Sequence, residues 1–354
     1  MKTFLKKIAL FIFIPIILCV ITEAVLPFTF FTHRHWEALP FMSNIPKNTD
    51  FYPNMKSSMI AVGDLCHHTI NAIPKKEIWI TDKLGFRNDE FVDQPDILFI
   101  GDSFTGGTSL SQDQTIAYRV KSKFNNKLKV YSMAPSSFST FDRYFKTGVL
   151  KKPKLIIYSR VERGVPEPIV PYDLQKVSVF RNMLTDLLEI GNLNMYIDKG
   201  IKHFSVQWAK ARIHDSKGLG VVAKGNSNMF FINGTSQKYV KDDLYSTAES
   251  VISYKKYCDS LGINFLFIPM PNKETVYYEL VPFEKQPDYL QQLDSLLQLA
   301  DVKTINTLNV YNNYRKTNNK LLYHLDDSHW NPNATELISK EIINLISSNN
   351  NLIK

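Results

Sequence analysis

The chain has 354 residues, is 44% hydrophobic and carries a formal net charge of +8, which suits one large α/β domain with an insertion, or two modest domains, and excludes a disordered chain. Lys2, Lys6 and Lys7 supply part of that charge. The other basic residues are scattered, without the aromatic-interleaved stripe that reads nucleic acid, so a nucleic-acid partner is not expected. No internal repeat, Walker loop, zinc-ligand spacing or Gly-x-Gly-x-x-Gly frame is present, and neither a metal nor a cofactor is expected.

In chain order, Ile8 to Leu26 is almost wholly apolar, and a helix of that length spans about 30 Å, the thickness of a hydrocarbon core. Residues 1–26 therefore read as cytoplasmic lysines followed by a membrane anchor, with the body outside the cytoplasm, in the periplasm or extracellular space. Thr22-Glu23-Ala24 keeps a cleaved signal peptide open. Cys66 and Cys258 lie outside this segment, and spacing leaves open whether they pair or stay as free thiols. Residues 27–95 read as an irregular lead-in packed on the main domain. Within it Thr81-Asp82-Lys83-Leu84-Gly85-Phe86-Arg87-Asn88 offers a turn at Gly85 and a planar cation at Arg87, which can clamp a carboxylate or brace the next loop.

The main domain is expected over 96–354. Ile97 to Ile100 is an unbroken apolar run, as in a strand buried on both faces of a parallel sheet, and Gly101-Asp102-Ser103 follows at its carboxyl end, where open α/β sheets hold ligands. Ser111-x-x-Gln114 forms a capping box for a helix carrying Ala117, Val120 and Phe124. Leu128 to Met133 and Pro153 to Arg160 are the next strands, the first leaving through Ala134-Pro135-Ser136-Ser137 and the second through Arg160-Val161-Glu162-Arg163.

An insertion, about 165–243, breaks the βα rhythm. It holds helix-like stretches at Val179 to Glu189 and Met195 to Ile213, read as a lid, and a hairpin strand at Met229 to Ile232 before a turn at Asn233-Gly234. The rhythm resumes with a helix from about Leu244 to Leu261 and a strand from Asn264 to Pro269. Lys273 then stands at a strand exit, where a cation can face the crevice. A helix over Asp288 to Ala300 and a short strand over Val302 to Ile305 lead to Leu325-Asp326-Asp327-Ser328-His329-Trp330-Asn331-Pro332, and a helix over Ala334 to Ile346 ends the domain. A serine hydroxyl needs a base, and the base needs a carboxylate to hold its other ring nitrogen. Ser103, His329 and Asp327 can supply all three, with Asp326 as the alternative acid.

The apolar strand with Gly-Asp-Ser, and the late Asp-x-His, resemble the first and last blocks of the SGNH (GDSL) hydrolases. That resemblance implies a flavodoxin-like three-layer α/β/α fold with a parallel sheet, here preceded by a transmembrane helix and interrupted by the helical insertion. It covers about Trp79 to the end, minus the insertion. The second block's oxyanion glycine is replaced, with Ser137 aligning best, and the third block's asparagine is missing. The Glu162-Arg163 exit and the Pro271-x-Lys273 segment with Tyr277 look instead like the alginate-acetylation branch, whose members modify exopolysaccharides outside the cytoplasm. Arg163 can take the missing oxyanion role, while Arg160, Lys273 and Arg87 are candidate substrate cations. The resemblance implies an extracytoplasmic O-acetyltransferase that loads acetyl on Ser103, passes it to a glycan and receives it through a membrane-bound O-acyltransferase. A carbohydrate acetyl esterase and a non-catalytic glycan-binding or assembly protein are the alternatives.

Overall fold

The computed structural model describes residues 2–25, 51–66, 69–172, 220–232 and 241–353. Residues 2–25 form a helix (α1, Lys2–Val25) with Pro15 inside it. Among the described residues no helix is long and apolar enough to cross a membrane.

Four parallel strands make the central sheet: β3 (Ile97–Gly101), β4 (Val130–Ser132), β5 (Leu155–Val161) and β8 (Asn264–Met270), in the order β4-β3-β5-β8. All five residues of β3 are buried, as its unbroken apolar run predicts for a strand covered on both faces. The connection through α3 (Ile116–Lys123) carries the chain from β3 to β4 on one side, and that through α4 (Phe138–Lys146) carries it back across β3 to β5 on the other. Right-handed crossovers then put α3 and α4 on opposite faces. α9 (Pro332–Ser348) packs on α3, and α7 (Tyr289–Leu299) packs on α5 (Lys241–Ser260). Phe138 of α4 stacks on Tyr254 of α5 at 4.2 Å between ring centroids. The direction of winding reverses at β3, so the crevice of the sheet opens at that strand's carboxyl end.

Several expectations need correction. The lead-in is not irregular throughout: β1 (Lys56–Ala61) and β2 (Lys75–Ile80) pair antiparallel and enclose a small core of Phe51, Tyr52, Met55, Ala61 and Trp79. The strand at Met229 to Ile232 belongs to β7 (Asn226–Ile232), whose partner β6 (Gly220–Ala223) precedes it. The hairpin turn is thus at Lys224 and Gly225; Asn233-Gly234 lies outside the described residues, as do the helix-like stretches at Val179 to Glu189 and Met195 to Ile213. The Ser111 capping box closes a 3₁₀ turn over Gln112–Gln114, and α3 has its own cap, the Thr115 hydroxyl. Val302 to Ile305 contributes one parallel bridge, Phe267 to Thr304, rather than a strand. A helix over Thr307–Thr317 (α8) was not expected. Cys66 and Cys258 are buried free thiols, and burial pushes the Cys66 thiol up to about 12.

Candidate active site

Ser103 opens a one-turn helix, α2 (Ser103–Gly106), directly after β3. Asp102, in extended conformation, accepts from the Phe104 amide at 3.0 Å through one carboxylate oxygen and from the Val161 amide at 2.7 Å through the other. One side chain thus starts the helix and ties the exits of β3 and β5 together. Gly101 allows this turn, because a Cβ there would stand 2.4 Å from Thr105 Oγ1 and 2.5 Å from the Ser159 carbonyl.

The Asp-His loop reaches the same place from the far end of the sequence. An antiparallel bridge between Tyr323 and Trp330 closes it. Asn331 then caps α9, accepting from Asn333 and Ala334 amides at 2.9 and 3.3 Å, with Pro332 in the first turn. His329 is held between these anchors, its ring against Phe104 at 4.9 Å. Ser103 Oγ lies 2.8 Å from His329 Nε2, and His329 Nδ1 lies 2.7 Å from Asp327 Oδ1. The three residues therefore form one hydrogen-bonded line, and with Nδ1–H donating to Asp327 the arrangement leaves Nε2 able to take a proton from the serine.

Asp327 is fully buried. It also accepts from the His329 amide at 2.9 Å, the Asp64 amide at 3.3 Å and the Ser109 hydroxyl, and lies 3.6 Å from Lys75 Nζ. Burial alone pushes this carboxyl up, but His329, its hydrogen bond and Lys75 outweigh that and hold it well below the usual carboxylate range. It is thus a fixed anion at neutral pH. Asp326 is not the orienter. Its carboxylate faces the lead-in, accepting from the Gly63 and Ile73 amides at 2.8 and 2.9 Å and from Lys75 Nζ at 3.1 Å. Gly63 is required at that contact, since a Cβ would stand 2.0 Å from the Asp326 carbonyl oxygen.

The candidate cations separate in the structure. Arg87 does not face the crevice: it is buried, stacks over Trp79 at 3.8 Å, and donates to the carbonyls of Ile78, Gly107 and Leu110, so it braces the loop behind α2. Burial pulls its guanidinium down to about 9. Lys273 is 1% exposed and donates to the carbonyls of His324, Leu325 and Asp327; it holds the Asp-His loop from beneath and cannot meet an anionic sugar. Arg160 turns back onto the Gly164 carbonyl at 3.4 Å. Arg163 alone of the four stays near the pair, with its guanidinium 5.6 Å from the Phe104 ring centroid and donating to Asn272 Oδ1 at 3.0 Å. Glu162 accepts from the Asn272 amide at 2.8 Å and Thr275 Oγ1 at 2.6 Å. Ser137 caps α4, accepting from the Thr140 amide at 3.3 Å, and the adjoining Ser136 amide donates to the Gly101 carbonyl at 2.8 Å, so the β4 exit loop runs beside the serine turn.

Asp64, Lys75 and Ser109 were missed by sequence reasoning. Asp64, Asp327 and His329 each bring a ligand-type atom within 4.8 Å of the others, but Nδ1 of the histidine is committed to Asp327, which makes the cluster a ring N–H between carboxylates.

Residues 222–353 match a family model described as ALGX: SGNH hydrolase-like domain, acetyltransferase AlgX. No curated protein is significantly similar in sequence. Similar solved structures include a mutant of Axe2, an acetyl-xylooligosaccharide esterase from Geobacillus Stearmophilus, at 10% identity over 71% of this chain and 93% of that one, with a TM-score of 0.35. Another is LAE5, an alpha/beta hydrolase enzyme from the metagenome of Lake Arreo, Spain, at 10% identity over 74% of this chain and 98% of that one, with a TM-score of 0.36. The matched stretch includes Asp327 and His329, with Ser103 lying ahead of it, so the carboxyl-terminal part of the chain is similar to the SGNH hydrolase-like domain of that family.

Proposed function

We propose that the protein is an extracytoplasmic O-acetyltransferase that moves an acetyl group through Ser103 onto a hydroxyl of an exopolysaccharide or cell-surface glycan. The observation that carries this reading is the unbroken line Ser103 Oγ, His329, Asp327, with both contacts under 3 Å. Ser103 Oγ attacks the acyl carbonyl while His329 Nε2 takes its proton. The imidazolium, stabilised by Asp327, then gives that proton to the departing group. In the second half the glycan hydroxyl loses its proton to Nε2 and attacks the acetyl-serine, which restores Ser103. The Ser103 and Ser137 amides are our oxyanion donors, and Arg163 is the cation beside them.

Transferase and esterase share all of these residues and differ in which hydroxyl meets the acetyl-serine first. A glycan bound across the crevice gains an effective concentration that unpositioned water lacks. The lysines at the amino terminus and the apolar run Ile8 to Leu26 support an anchored protein with its catalytic domain outside the cytoplasm, and a membrane-bound O-acyltransferase is the acyl-donor partner we propose. The test supplies the full-length chain with an activated acetyl ester, with and without an oligosaccharide. Slow hydrolysis, diverted by the sugar into Ser103-dependent sugar acetate, is the expected outcome. Rapid hydrolysis with no sugar acetate under any condition moves the assignment to a carbohydrate acetyl esterase, and absence of any acetyl-serine moves it to a glycan-binding protein.

A further inference from the structure

The lead-in brings a second carboxylate to the base. Asp64 accepts from the Ser328 amide at 2.7 Å and from Ser328 Oγ at 2.5 Å, and its Oδ2 lies 3.6 Å from His329 Nδ1. Its own amide donates to Asp327 Oδ2 at 3.3 Å. The ring edge that carries the Nδ1 proton therefore looks at two carboxylates from opposite ends of the chain, and Ser328, next to the histidine, is gripped by one of them.

The charges around this edge are unequal in their compensation. Asp326 and Asp327 share Lys75 of β2 at 3.1 and 3.6 Å. Lys273 reaches the loop from α6 (Lys273–Val276), His324 approaches along the same segment, Cys66 lies beside Asp64, and Arg163 stands behind Phe104. Among the described residues, His329 is the only cationic partner within 4.0 Å of Asp64. Burial and the neighbouring Asp327 charge push the Asp64 carboxyl up, whereas the His329 ring and the Ser328 hydrogen bond pull it down, so its charged form gains most when the ring takes the serine proton and becomes its counter-charge.

We propose that Asp64 is a positioning residue of the catalytic apparatus, which holds Ser328 and, with Asp327, makes the Nδ1 edge of His329 a two-carboxylate seat for the imidazolium. The assignment rests on His329 being the base. It also gives the hairpin lead-in a chemical role: Gly63 bonds Asp326, Asp64 bonds Ser328, and Lys75 bridges Asp326 and Asp327, so the segment from Gly63 to Lys75 clamps the loop that carries the base.

A carboxylate within about 4–6 Å of a titrating group moves its midpoint by about one unit or more, and removal of an anion favours the neutral ring. The test follows the His329 ring by NMR across pH in the full-length protein, with its signal assigned from a His329→Gln spectrum, together with the pH dependence of kcat/KM on an activated acetyl ester. Asp64→Asn should lower the ring midpoint by about one pH unit and move the acid limb of kcat/KM to lower pH by the same amount. The smaller, neutral Asp64→Ser should shift both in the same direction, and covers the case in which the asparagine variant does not fold. An unmoved ring midpoint in the folded variants, with stability alone reduced, overturns the proposal and leaves Asp64 a structural ligand of Ser328. Turnover that survives Ser103→Ala refutes the catalytic reading instead, and is recognised without reference to the NMR shift.

Discussion

Lys273→Met removes the ammonium that supports the Asp-His loop, and the structure fixes what should follow. Burial pulls Lys273 down to about 8, so keeping it charged at neutral pH costs about 3 kcal/mol at roughly 1.4 kcal/mol per unit from its ordinary value near 10.4. Methionine, of similar length, relieves that cost. Against it stand the carbonyls left behind. The Leu325 carbonyl keeps the Phe230 amide at 2.9 Å, but those of His324 and Asp327 lose the Lys273 donor, at about 1–3 kcal/mol each. The two sides nearly cancel, leaving a net destabilisation of about 1 kcal/mol and a fall in Tm of about 2–4 °C. The loop geometry has no such compensation. The Asp327 carbonyl is one peptide unit from the base, and misplacement of reacting groups by about 1 Å costs roughly 100-fold. Thermal unfolding and kcat/KM on an acetyl ester, measured on the same samples, should therefore separate, with stability almost kept and activity down about 100-fold. Because the folded state binds this proton less tightly, the wild type should gain stability from this group between about pH 8 and 10, and the variant should lack that gain. Activity within threefold of wild type would refute the reasoning, as would a collapse in Tm well beyond the small shift expected.

The two adjacent acids should separate as cleanly. Asp327→Asn should lower kcat/KM by about 10³–10⁴, as loss of a triad acid does, whereas Asp326→Asn, which loosens Lys75 and the lead-in, should cost less than about tenfold; equal losses in the steady-state assay would contradict the assignment of Asp327. Asp82, buried beneath the Gly85 turn, is raised to about 6, chiefly by burial. The folded state then holds its proton more tightly than the unfolded state, so this group's contribution to stability falls as pH rises from about 4 to 6, by about 3 kcal/mol in all. Denaturant titrations across that range should show the decline in the wild type and lose it in Asp82→Asn.

Local chemistry made the sheet and the meeting of Ser103, His329 and Asp327 legible in the sequence. An apolar run ending in Gly101-Asp102-Ser103 has few structural homes, and Asp327 and His329 are near neighbours in the chain, so their pairing needed no knowledge of the fold. What escaped depends on long-range approach. Asp64 meets Ser328 across a separation of 264 residues, and Gly63-Asp64 in a lead-in carries no mark of that contact. Lys273 reads as a surface cation because lysine at a strand exit usually is one. Its burial follows from three carbonyls converging on one point, which only the folded loop creates. Arg87 misleads in the same way, since its guanidinium is spent on the carbonyls of Ile78, Gly107 and Leu110 inside the fold. α8 escaped because only Thr307, Leu308 and Tyr311 of its residues are buried, leaving an Asn-rich face without a helical apolar stripe. The β1–β2 pair escaped because the strands are short and the loop between them, from Val62 to Pro74, is too long to read as a hairpin turn.

The central claim is that Ser103 carries the acetyl group, and it is tested most directly by trapping that intermediate. The full-length chain, mixed with an activated acetyl ester and quenched in acid within the first turnover, should gain one acetyl mass. Peptide fragmentation should place it on Ser103, with no adduct in Ser103→Ala and a strongly slowed one in His329→Ala. An acetyl group on another residue, or an adduct that forms at the wild-type rate without His329, would contradict the account.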